Sequence, residues 1–270
     1  MPEFTQEQME RYSRHILIPE IGGTGQRKLM EARVLVVGAG GLGAPNLLYL
    51  AAAGIGKIGV IDFDRVDRTN LQRQVIHATS DIGKAKVDVA RAKIADINPE
   101  VEVVTHNARL SKDNILDLFD QYDVVVDGTD NFPTRYLIND ACFFTKTPLF
   151  TGAVFRFEGQ VTVYRFRGDG PCHRCLFPEP PAPGLIPSCA EAGILGSVVG
   201  VVGTIQATEV IKHFAGVGES LDGTLLLVDT LAMQFRRVKL RRDPRCPLCG
   251  DAPTITELVE HDPTCESPIR

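Results

Sequence analysis

Three observations predict an α/β fold built on a doubly wound sheet, parallel in its first half and extended by antiparallel strands in its second. Short β-branched runs alternate with helical segments from Val34 to Thr145, which is the rhythm of parallel strands joined by crossover helices. From Pro148 strand-like runs follow one another without an intervening helix. Two C-x-x-C pairs fall within this second half, Cys172/Cys175 after its first strand-like runs and Cys246/Cys249 at its end. At 270 residues the chain is long enough to bury a substantial core.

Residues 1–31 form an N-terminal arm. Glu7 to Arg14 has a helical pattern, Gly22 to Gly25 form a glycine-rich loop, and a second short helix runs around Gln26 to Glu31. Arg11 is expected to be solvated. Residues 32–147 hold the alternating half. Val34 to Val37 and Lys57 to Ile61 are strands; Asp81 to Lys86 opens a helix that Asn98-Pro99 stops near Ile97. Val101 to Val104 is a strand, Lys112 to Phe119 a helix, Asp123 to Asp127 a strand and Tyr136 to Thr145 a helix. In residues 148–250, Pro148 to Gly152 and Gly159 to Arg165 are strand-like, a proline-rich loop spans Pro178 to Pro187, and Thr224 to Asp229 with Phe235 to Leu240 make a late hairpin. Residues 251–270 are a tail, and the whole is expected to be a single domain.

The net charge of −5 does not mark a nucleic-acid binder. The N-terminus lacks a basic region followed by an apolar core, so no secretory signal is expected. Ala192 to Phe214 is the most apolar long run, but Gln206, Glu209 and Lys212 interrupt it, which predicts a buried helix and no membrane span.

The densest chemistry lies between Val34 and Arg73. Gly38-Ala-Gly-Gly-Leu-Gly43 follows a strand and opens a helix, the Rossmann-like order of parts. Gly38 lets the chain turn off the strand, Gly40 lets backbone amides approach phosphate oxygens, and Gly43 lets the helix pack against the sheet. The helix N-terminus offers unpaired N–H groups to an anion. Asp62-Phe-Asp64 closes the next strand at the position from which a carboxylate reaches ribose hydroxyls. Arg14, Arg73 and Lys86 add positive charge, and Asp130 stands just beyond a central strand. A hydride-transfer enzyme needs no such cluster. Attack on the α-phosphate of ATP does, because cations must hold the triphosphate and a carboxylate must hold Mg²⁺. A nicotinamide-dependent oxidoreductase and a non-catalytic zinc-stapled nucleotide-binding scaffold remain the alternatives.

Seven cysteines in a chain read as cytoplasmic point to metal before disulfides. The two C-x-x-C pairs fit a tetrahedral Zn²⁺ site that leaves no open position. A redox role is weaker, because neither pair is expected at the start of a helix after a strand. His173 is then a bystander, Cys142 a core residue and Cys265 without a part.

These motifs, together with Asn70-Leu-Gln-Arg-Gln74, Gly83-Lys-Ala-Lys86, Asp127-Gly-Thr-Asp-Asn131 and the arm Arg11-Tyr-Ser-Arg-His-Ile16, resemble the MoeB/ThiF adenylyltransferases, relatives of the ubiquitin-activating enzymes. The resemblance runs from about Glu7 to Cys249. It implies MgATP-dependent adenylation of the C-terminal glycine of a small ubiquitin-like sulfur-carrier protein ending in Gly-Gly, for molybdopterin, thiamine or tRNA thiolation. It implies nucleotide contacts from Gly38, Gly40, Gly41, Gly43, Asp62, Asp64, Asn70, Arg73, Lys86, Asp130 and Asn131. Asp130 is the implied Mg²⁺ ligand, and Arg14 the implied contribution to a neighbouring subunit's site in a homodimer. Cys172, Cys175, Cys246 and Cys249 match structural zinc ligands. Cys189 matches a position where some relatives use a thiol, and the proline-rich loop is expected to cover the carrier's tail. Some relatives carry a C-terminal rhodanese domain; the sequence given ends at Arg270, so a separate sulfur donor such as a cysteine desulfurase or rhodanese is expected.

Overall fold

The computed structural model describes residues 4–181 and 192–260. The strands are β1 (Arg33–Val37), β2 (Lys57–Ile61), β3 (Glu102–His106), β4 (Val124–Asp127), β5 (Leu149–Phe155), β6 (Glu158–Tyr164), β7 (Thr224–Asp229) and β8 (Gln234–Lys239). They form one sheet in the order β3-β2-β1-β4-β5-β6-β7-β8. Pairing is parallel from β3 across to β5 and antiparallel from β5 to β8. The change of direction comes one strand later than the change of rhythm expected at Pro148: β5, just after it, still runs parallel to β4, and the sheet turns antiparallel from β6 on.

The helices are α1 (Gln6–Ile16), α2 (Gly22–Glu31), α3 (Gly43–Ala52), α4 (Lys86–Ile97), α5 (Ile115–Phe119), α6 (Phe132–Thr145), α7 (His173–Leu176) and α8 (Gly196–Ala215). Alternation along β1 divides its side chains between two cores. Val34 and Val36 join one with residues of α3, α4 and α8. Leu35 and Val37 join the other with α5, α6 and the cysteine pairs. A sheet covered on both faces accounts for the unbroken β-branched runs.

Several boundaries differ from expectation for physical reasons. Gly22 to Gly25 are not a loop but the first turn of α2. A Cβ at Gly25 would lie 3.0 Å from Ile21 Cγ2, a tight contact, and 3.5 Å from Ala215 Cβ, an ordinary packing distance, so glycine there eases the turn from Ile21 into α2, whose side packs on the end of α8. The helix expected from Asp81 begins at Lys86, after a 3₁₀ turn at Thr79–Asp81. The helix expected from Lys112 begins at Ile115. α6 starts earlier than expected, because Asn131 Oδ1 accepts from Thr134 N at 2.9 Å and Pro133 occupies the first turn. Arg11 is not merely solvated: its Nη1 donates to Ile97 O at 2.8 Å, closing the C-terminus of α4. α8 buries only one face, although Glu209 on it is buried and accepts from Leu221 N at 2.8 Å. Part of the expected tail is anchored, since Ile255 and Leu258 pack on the second core.

α6 is tied to α7 by a buried ion pair. Arg174 Nε and Nη2 donate to the two carboxylate oxygens of Asp140 at 2.8 and 2.7 Å, with side chains 2% and 0% exposed. Removing one charge strands the other in the interior. Asp140→Asn is expected to lower stability by about 3–5 kcal/mol, read as a fall in thermal midpoint and in denaturant midpoint at unchanged m-value.

Candidate functional site

Strand order reverses between β1 and β4, so the loops after these two strands face one crevice at the carboxyl edge of the sheet, where open α/β sheets place ligands. Gly38 begins the first loop with φ +92°. A Cβ there would come within 3.0 Å of Gly128 O in the second loop. Gly43 is needed for a different reason from the one expected: a Cβ on it would collide with Gly38 O, so it lets the loop close on itself before α3 begins. The amides of Gly40, Gly41 and Leu42 have no acceptor among the described residues, and they lie at the positive end of α3.

The acidic and basic residues gather on this loop. Asp62 Oδ2 accepts from Ala39 N and Oδ1 from Asp64 N, both at 2.8 Å. Asp62 thus shapes the glycine loop as well as facing the crevice. Burial pushes its carboxyl above the usual range, against the opposing pull of Lys86. Lys86, buried at the start of α4, is not a free cation; its Nζ donates to Asp64 Oδ2 at 2.7 Å. Arg73 Nη1 donates to Thr69 O at 3.0 Å, and its Cγ is 3.8 Å from where a Cβ on Gly41 would sit. Asn70 Oδ1 accepts from Asp67 N at 3.1 Å and closes the turn that carries Arg73. Across the crevice, Asp130 is exposed after β4 and has no ion pair among the described residues. Asn131, next to it, is the cap of α6.

Arg14 is the expected residue that the fold does not bring to this crevice. α1 packs at the far ends of α3 and α4: Tyr12 lies against Gly54, Asn98 Nδ2 donates to Tyr12 Oη at 2.9 Å, and Arg11 caps Ile97. α3 and α4 have 10 and 12 residues, so about 15–18 Å of helix separates those ends from the glycine loop. Arg14 is exposed there.

The cysteine pairs meet at the edge of the second core. Sγ separations are 4.0 Å for Cys172–Cys175, 3.6 Å for Cys172–Cys246 and 3.3 Å for Cys175–Cys249, and all four sulfurs lie within 4.8 Å of one another. Four thiolates around Zn²⁺ at 2.3 Å place sulfurs about 3.8 Å apart, so the cluster is compatible with zinc. Cys172 does cap the short helix α7, contrary to expectation, but its thiol partners are the other three cysteines. His173 is a bystander as expected, its ring edge-on to Tyr136 at 5.1 Å. Cys142 is fully buried core, where burial pushes its thiol up. Cys189, Cys265 and most of the proline-rich loop lie outside the described residues.

Sequence reasoning missed a buried layer beneath the site. Asp127, 0% exposed, accepts from Thr129 N at 2.9 Å, Thr129 Oγ1 at 2.6 Å and Thr151 Oγ1 at 2.9 Å. Arg135 Nε stands 3.2 Å from Asp127 Oδ2, and its Nη2 donates to Thr129 O and Gly152 O. Its one signal in the sequence was a charged residue closing the run Val124-Val-Val-Asp127.

Fold and site define an α/β protein with a glycine loop of unpaired amides, among the described residues, at the switch point of its sheet and a four-thiol cluster on one edge. The chain matches the ThiF family over residues 12–248 and belongs to it. It is 49% identical to a sulfur carrier protein adenylyltransferase of Thermus thermophilus, over 97% of this chain and 98% of that protein. It is 51% identical to a probable adenylyltransferase/sulfurtransferase, MoeZ, of Mycobacterium tuberculosis, over 97% of this chain but 66% of that one. Among solved structures it resembles E. coli MccB with ATP, with TM-score 0.76 and 25% identity, over 89% of this chain and 73% of that one. No helix among the described residues is long and apolar enough to cross a membrane.

Gly41 also touches α8, since a Cβ on it would lie 2.7 Å from Val199 Cγ1. Gly41→Ala is expected to cost about 1–3 kcal/mol. Val199→Ala in the same chain should recover most of that cost, a coupling that a double-mutant cycle by denaturant unfolding measures.

Proposed function

We propose that this protein uses ATP and Mg²⁺ to adenylate the C-terminal glycine carboxylate of a small ubiquitin-like sulfur-carrier protein, releasing pyrophosphate. The observation that carries the proposal is the crevice itself: three amides without acceptors at the N-terminus of α3, Arg73 beside Gly41, and an exposed Asp130 across from them. The full-length match to a relative named for this activity supports it.

In this reading the glycine-loop amides and Arg73 hold phosphate oxygens, Asp62 receives the ribose, and Lys86 exchanges its contact with Asp64 for the triphosphate. A carboxylate oxygen of the carrier's last glycine attacks the α-phosphorus; the bond from that phosphorus to the bridging oxygen breaks, and pyrophosphate leaves with the electron pair. Mg²⁺, held by Asp130, would neutralise charge on the departing group. The enzyme contributes no covalent nucleophile to this step. The acyl-adenylate is the activated species: the persulfide of a separate sulfur donor, such as a cysteine desulfurase or rhodanese, attacks its carbonyl carbon and expels AMP, and a second thiol then reduces the resulting acyl disulfide to the thiocarboxylate. In the same reading Arg14 serves the site of a neighbouring subunit in a homodimer, which is consistent with the place of α1 at the far ends of α3 and α4. Zinc in the four-thiol cluster is structural: four protein ligands leave no position for substrate. Cysteines kept reduced as metal ligands suit the cytoplasm. For Cys189 two readings stand, a thiol that takes part in transfer after adenylation and a dispensable loop cysteine; a Cys189→Ala protein with unimpaired sulfur transfer decides for the second.

ATP–pyrophosphate exchange tests the main reading. Exchange should appear only with a carrier ending in Gly-Gly and fall roughly a hundredfold or more in Asp130→Ala, since one lost charge-stabilising contact commonly has that effect. Absence of exchange with every such carrier overturns it. Metal analysis should find one zinc for each chain, and Cys246→Ser should lower both zinc content and thermal midpoint; full stability without metal removes the zinc assignment.

A further inference from the structure

Beneath the glycine loop, two side chains from different segments hold the single residue Ala39. Its N–H donates to Asp62 Oδ2 at 2.8 Å. Its carbonyl oxygen lies 3.1 Å from His77 Nε2. A carbonyl only accepts, so Nε2 carries the proton and His77 is the donor. His77 is 7% exposed, and its other nitrogen, Nδ1, is buried with no hydrogen-bond partner among the described residues. A buried ring with one unsatisfied nitrogen is a cost to folding, and its compensating contact is the one to the loop.

The direction of that contact decides which way the loop faces. A trans peptide is planar, with C=O and N–H on opposite sides, and the described chain has no cis bonds. Pulling the Ala39 carbonyl inward to His77 therefore turns the Gly40 N–H outward to the crevice, where it has no acceptor among the described residues. Asp62 acts likewise on the preceding peptide: with Ala39 N–H drawn to it, the Gly38 carbonyl is pressed against Gly43. Glycines have the largest backbone freedom, and such a loop unclamped samples orientations in which its amides do not converge.

We propose that His77 is a positioning residue for nucleotide phosphates, which fixes the outward aim of the Gly40 amide by holding the Ala39 carbonyl from behind. It touches no substrate atom. The proposal rests on the nucleotide reading above, and it makes a finer prediction, because His77 governs phosphate binding and leaves nucleoside binding alone.

The test compares ATP and adenosine binding by calorimetry in wild type, His77→Leu, His77→Gln and His77→Asn. Gln places an amide nitrogen near the position of Nε2 and retains the donor; Leu fills the space without one; Asn is polar but too short. Leu and Asn should each weaken ATP about tenfold with adenosine unchanged, while Gln stays within about twofold of wild type for both; a tenfold loss is about 1.4 kcal/mol, of the order of one hydrogen bond. If Leu does not fold, Asn carries the comparison. Equal losses for ATP and adenosine, or a Gln variant as weak as Asn, overturn the proposal and leave His77 a packing residue. Wild-type protein that binds no ATP overturns the nucleotide reading and this proposal with it, an outcome separate from the others.

Discussion

The carboxylate of Asp127 is the constraint on which the site depends. It ends β4 inside the molecule, where an unpaired charge is prohibitively costly, and the surrounding chain is arranged to satisfy it. Thr129 turns back to it, Thr151 reaches across from β5, and Arg135 lies against it from α6. Meeting these demands fixes the path of Gly128 to Thr129, and with it the point at which Asp130 emerges. Gln206 of α8 adds a second tie, donating to Asp127 O at 2.9 Å and Phe150 O at 3.2 Å. The exposed acid across the crevice is thus presented by a buried one three residues earlier.

α6 carries that constraint to the four-thiol cluster. Its N-terminus is capped by Asn131, next to Asp130; further along, Asp140 grips Arg174 from between the first cysteine pair, and Asn139 Oδ1 accepts from His173 N at 2.9 Å. A cluster with no open coordination position still bears on the site through this helix. It pins α7, α7 holds α6 through the ion pair, and α6 ends at the loop bearing Asp130. The opposite side of the crevice is held in another way, by Asp62 and His77 acting on the glycine loop from two separate segments.

The local rules of the chain carried much of this. Glycine spacing, the β-branched runs and the two C-x-x-C pairs are short-range signals, so the strand–turn–helix at Gly38, the alternation up to Thr145 and the meeting of the cysteines were all legible. Boundaries slipped where tertiary contact overrode composition. Gly22 to Gly25 looked like a loop because glycine is a poor helix former, yet they open α2, where Gly25 sits close to Ile21 and beside Ala215 of α8.

By itself the sequence determined the α/β class, the place of the glycine loop, and the residue types that surround it. Each of those follows from neighbours a few positions apart. Tertiary structure alone decided which charges are engaged and which are free. Lys86 meets Asp64, Arg174 meets Asp140 and Arg135 meets Asp127, while Arg14 is carried to the far end of two helices. A pairing is set by where separate elements dock, and arginine, lysine and aspartate look the same in a sequence whether buried or solvated. His77 shows the same limit: only the folded chain sets its ring behind a glycine loop nearly forty residues away, because nothing local to either segment requires the other.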